Sequence, residues 1–93
     1  MATTVTKTWN LTAPVGTASY SSSVLSDKIT ELKASGDLVS ITTTVVSDTE
    51  TTLAMVWKDE AARASFQSWM NDSGEAANAS AHNSSNSISQ AGV

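Results

Sequence analysis

Apolar and polar residues alternate along Thr3–Thr12, so that Val5, Lys7, Trp9 and Leu11 share one side of an extended chain and Thr4, Thr6, Thr8 and Asn10 the other. A period of two predicts a half-buried strand. Lys7 interrupts the apolar side, which a lysine can do by laying its stem along the strand edge with the ammonium in water. Ala13-Pro14-Val15-Gly16 then breaks the alternation, because proline donates nothing to a ladder. From Ser21 to Ser35 the period lengthens: Tyr20, Val24, Leu25, Ile29 and Leu32 fall on one stripe, and an amphipathic helix is predicted, with Ser21–Ser23 as candidate N-caps and Gly36 as its stop. Leu38–Val46 and Thr51–Trp57 are rich in β-branched residues and are predicted to form a hairpin around a four-residue loop, Ser47–Glu50. Val39, Ile41, Thr43 and Val45 share one face of the first of these strands, and Leu53, Met55 and Trp57 one face of the second. Asp59 and Glu60 open a second helix with the buried stripe Ala62, Phe66, Trp69 and Met70, and Asn71-Asp72-Ser73-Gly74 ends it.

This order predicts an α+β fold of the ferredoxin-like split βαββα(β) kind: an antiparallel sheet with the first and third strands central and two helices on one face. The predicted domain is 1–74. Residues 75–93, rich in Asn, Ser and Ala with Ile88 as the one branched apolar residue before the final position, are predicted to be a tail that is flexible or ordered only on assembly, with Ser87–Gln90 as a candidate edge strand. If the helices lie on one face and Trp9, Met55 and Trp57 on the other, the apolar sheet face needs a cover, and a second copy supplies it. Trp9, Asn10, Met55 and Trp57 are therefore the interface or pocket candidates.

With 93 residues and a hydrophobic fraction of 40%, the chain suffices for one thin core. Its formal net charge of −4, with only five basic residues scattered from Lys7 to Arg63, argues against nucleic acid and against a polybasic membrane contact. No apolar run reaches the roughly 20 residues that span a bilayer, and the N-terminal MATTVTKTW has no apolar stretch behind a basic start. The expected location is the cytoplasm, or a virion if phage-encoded. Cysteine is absent, which removes disulfides and thiolate chemistry.

Leu53-Ala54-Met55-Val56-Trp57-Lys58-Asp59-Glu60-Ala61-Ala62, followed by Phe66 and Trp69, resembles the strand, tryptophan, acidic cap and amphipathic helix segment of dimeric α+β barrel proteins of the antibiotic-biosynthesis-monooxygenase type. The resemblance implies a dimer. Haem-degrading members use an asparagine on the first strand, a tryptophan ending the third and a histidine beyond it; Asn10 and Trp57 fall in comparable places, but His82, the only histidine, lies well past the second helix, so no haem, metal or other cofactor is expected. Asp59 and Glu60 read as capping charge rather than an acid/base pair, and Asp48 and Glu50 as a solvated turn. The Ser/Thr/Ala/Asn-rich composition also looks like that of small tailed-bacteriophage proteins. The expected function is that of a non-enzymatic structural or assembly protein, a homo-oligomer or part of a larger assembly, associating through its sheet face or edge. The alternative is a small cofactor-independent oxygenase or isomerase with Trp57, Trp9, Asn10 and Tyr20 around a pocket.

Overall fold

A computed structural model describes residues 4–92, so the predicted start of the first strand at Thr3 lies outside the described residues. Strand β1 is Val5–Thr12, helix α1 Ser23–Ser35, strand β2 Leu38–Ser47, strand β3 Glu50–Trp57, helix α2 Glu60–Ser73, helix α3 Glu75–Ser85 and strand β4 Ser89–Gly92. The four strands form one antiparallel sheet in the order β2-β3-β1-β4, an α+β arrangement compatible with a ferredoxin-like plan.

The helix boundaries follow from side-chain chemistry. Ser22 caps α1 by accepting the Leu25 N–H at 3.1 Å, and Asp59 caps α2 by accepting the Ala62 N–H at 2.8 Å. Gly36 ends α1 and Gly74 ends α2, each in the left-handed region with φ near +85°, where a side chain is disfavoured. Gly74 is at once the last joint of α2 and the start of α3.

The predicted four-residue loop contracts to a two-residue turn, Asp48-Thr49, because Ser47 and Glu50 pair across it. Neither turn residue has positive φ, so the turn is not of the primed kind that matches strand twist, and β2 absorbs the mismatch as an irregularity between Val45 and Ser47. A second irregularity lies between Leu38 and Ser40. One extra residue reverses the alternation, so Leu38, not Val39, joins Ile41 on the inner face; Leu38 is 2% exposed and Val39 55%.

Two sequence expectations need correction. Helices do not lie opposite Trp9, Met55 and Trp57: residues from α1, α2 and α3 stand over the same sheet face as these three side chains. The physical reason is direct, since an amphipathic helix buries its stripe against whatever apolar surface the sheet offers, and here only one face offers it. The helix-free face carries Thr6, Thr8, Asn10 and Thr12 of β1 beside Thr52 of β3, with Ala54 and Val56 the apolar members of β3. The core is small. Leu32, Leu38, Met55, Trp57 and Ala62 are buried, with Ile29, Ile41, Leu53 and Phe66 packed on them, and Trp57 at 1% exposure meets Phe66 at 5.0 Å between ring centroids.

The second correction concerns the C-terminal segment. Beyond Gly74 the chain continues as α3 and β4, and β4 pairs with β1 of the same molecule from Trp9↔Gly92 to Thr12↔Ser89. The predicted edge strand is thus present two residues further on and within the chain rather than on a partner. Ser87, with φ of 58°, is the non-glycine residue that reverses the path between helix and strand.

Candidate functional site

The core is concentrated at the Leu38–Trp57 end of the sheet, and a half-open groove of about 660 Å3 runs between the inner sheet face and the helices. Its floor is the inner sheet face, with Trp9 and Leu11 from β1 and Leu53 from β3; its roof includes Ile29 of α1 and Phe66 and Met70 of α2. Clefts of about 300–1,000 Å3 between a sheet and its helices are the usual shape of small-ligand sites. Of the sequence candidates, Trp9, Met55 and Trp57 come together along this groove. Asn10 does not. It faces the opposite side, where Thr52 Oγ1 donates to its Oδ1 at 3.2 Å, and so cannot share a pocket with Trp57.

Two cations line the groove, Lys7 and Arg63, and among the described lining residues there is no Asp, Glu or His. Arg63 is held by Glu60, with Nη2 2.6 Å and Nε 2.9 Å from its carboxylate oxygens. That contact lowers the Glu60 pKa and raises the Arg63 pKa. Lys7 makes no salt bridge among the described residues. Lys7 precedes the β1 residues that pair with β4 among the described residues, Trp9–Thr12, and its Nζ lies 5.0 Å from the centroid of the Trp9 ring.

The far wall of the groove is α3, which composition alone does not reveal as ordered. Its anchor is polar. Glu75 is 3% exposed and accepts hydrogen bonds from the Tyr20 hydroxyl and, at 2.6 Å, from Ser22 Oγ. These bonds, Ser22 first and Tyr20 second, hold its carboxyl below the ordinary 4.5 against the opposing effect of burial. His82 is fixed as well. Its Nε2 lies 2.8 Å from the Ala18 carbonyl and must therefore carry the proton, Nδ1 lies 3.4 Å from Asn86 Nδ2, and Tyr20 packs edge-on at 5.8 Å. With both ring nitrogens engaged, His82 serves the loop 13–22 rather than any reaction in the groove. Sequence reasoning missed Glu75, Tyr20 and His82 as a cluster; the one local hint was an acidic residue directly after a helix-ending glycine.

The second exposed feature is the edge of β2. Its ten residues contain no charge and no proline, and it borders the sheet with Val45 74% and Val46 56% exposed. Between its two irregularities, Ser40–Val45 pairs regularly with β3. Among the described residues, no group of three or more His, Asp or Glu side chains could hold a metal ion, and no helix is long and apolar enough to cross a membrane. No known protein family matches the chain, and neither does any curated protein or solved structure.

Proposed function

We propose that this chain is a small non-enzymatic assembly module that self-associates by pairing the edge of β2 with β2 of a second copy. One observation carries the reading: β2 is a long edge strand without the lysines, prolines or cover by which proteins ordinarily blunt such an edge. Antiparallel pairing about a two-fold axis over Ser40–Val45 joins two four-stranded sheets into one of eight and gives the exposed valines apolar neighbours. Face-to-face association through Trp9, Met55 and Trp57, in contrast, has no support, because the chain's own helices stand over those side chains. The strand order and the two α+β halves further support reading the fold as a ferredoxin-like split βαββαβ with α3 added between α2 and β4. That is the plan shared by the dimeric α+β barrel proteins whose segment Leu53–Ala62 resembles.

A strand pair of this length buries less than the roughly 1,600 Å2 of a standard interface, so association in the micromolar range is expected. Light scattering coupled to size exclusion, from about 10 μM to 1 mM, is expected to give twice the mass of the single chain at the upper end. The double variant Thr42→Lys, Thr43→Lys sets like charges close to the axis on both faces of the strand. It is expected to give a monomer with unchanged circular dichroism. A wild-type monomer throughout, or a dimer that survives the lysines, overturns the reading.

A further inference from the structure

We propose that the sheet–helix groove binds a small amphipathic monoanion, an apolar body carrying one carboxylate, with Lys7 as the carboxylate's partner. The charge pattern carries the inference. In a chain of net charge −4 the described groove lining holds two cations and no acid. Arg63 already engages Glu60, whose carboxylate also feels the Lys7 charge from beyond salt-bridge distance, so among the described residues Lys7 is the groove cation without a salt bridge. An ammonium lying along an indole at the margin of an apolar cleft is partly stripped of water and gains from an anion that the cleft brings to it.

The rest of the lining decides the class of anion. Phosphate recognition draws on several converging donors, such as backbone N–H groups or a guanidinium fork; the guanidinium of this groove, Arg63, is engaged by Glu60, which leaves one ammonium beside side-chain hydroxyls and the amides of Gln67, Asn83 and Gln90. Asn83 and Gln90 are further tied to each other at 3.2 Å, which closes the α3–β4 wall. A single carboxylate suits this supply. The body of the ligand lies along Trp9, Leu11 and Leu53 beneath Phe66 and Met70, in a space of ligand size. Ile41 and Thr43 of β2 also line the groove, but the ligand contacts argued here come from β1, β3 and the helices, so each reading has its own test.

The test compares decanoate with decanol, which share an apolar chain and differ in the anionic head, both below the concentrations at which they self-assemble. Binding is followed by nuclear magnetic resonance shifts of the Trp9 indole N–H and of Leu53, together with calorimetry. Decanoate is expected to bind about three- to tenfold more tightly than decanol, the range for one partly exposed charge-assisted contact. Lys7→Gln is expected to bring the ratio to about one while leaving decanol affinity unchanged, and Lys7→Arg to preserve the preference. Equal affinities in the wild type, saturable binding of neither probe, shifts located away from the groove, or a preference that persists in Lys7→Gln each overturns the proposal. The wild-type comparison decides even if a Lys7 variant fails to fold.

Discussion

Glu75 shows how a single side chain can organise a segment that has almost no apolar surface. Its two hydroxyl donors come from residues 55 and 53 positions earlier in the chain, so the contact ties α3 to the loop before α1. Hydrogen bonds to the carboxylate favour its charged form and depress its pKa below 4.5 in the folded protein. By linkage, a depressed acidic pKa contributes stability that is fully present above the unfolded value and disappears as the pH falls through the folded one. The melting temperature of Glu75→Gln is therefore expected to lie below that of the wild type at neutral pH, and the gap to narrow as the pH falls below 4.5 and through the lowered pKa of the folded state. Asp37, lowered by its contact with Lys58, and Glu60, lowered by Arg63, titrate in both proteins and cancel from the difference. A gap that stays constant with pH rules out the linkage. None of this was legible locally, since no periodicity reports a partner more than fifty residues away.

At the scale of elements, β4 is attached to the sheet through a close aromatic fit. The Trp9 ring lies so near the Gly92 backbone that a Cβ built there meets Cζ3 at 2.9 Å. Gly92→Ala is expected to displace either the indole or the strand, at a cost of about 1–3 kcal/mol typical of overpacking, read as a lower denaturation midpoint and altered fluorescence of Trp9. An unchanged midpoint would show that the ring is free to move. The sequence could be read correctly for β1, α1, β3 and α2, because each strand keeps its alternation and each helix has its own caps. It could not be read for β2, where an added residue between Leu38 and Ser40 breaks the alternation that places Val39 inside. The α3 segment defeats periodicity altogether: Ala76, Ala79 and Ser80 face the groove, and such small side chains leave no hydrophobic stripe.

For the whole molecule, a fold with five buried hydrophobic residues among those described has little stability to spare. A chain ending at Gly74 loses β4 from the Trp9–Thr12 edge, the far wall of the groove and the acceptor for Tyr20 and Ser22. It is expected to melt well below the full chain, each lost kcal/mol lowering the midpoint by about 4–8 °C at this size. Equal melting temperatures would mean that 75–92 contributes nothing to the fold. The helical side of the sheet was misjudged from sequence for a related reason: the alternation of Trp9 and Trp57 states that they share a face, whereas which face the helices take is set only when both apolar surfaces meet. Gly74 ties these scales together. With one residue separating Ser73 from Glu75, the angle between the two helices is set at the left-handed backbone of Gly74. A change of backbone conformation at Gly74 would therefore redirect α3, whose Asn83 donates to Gln90 of the last strand.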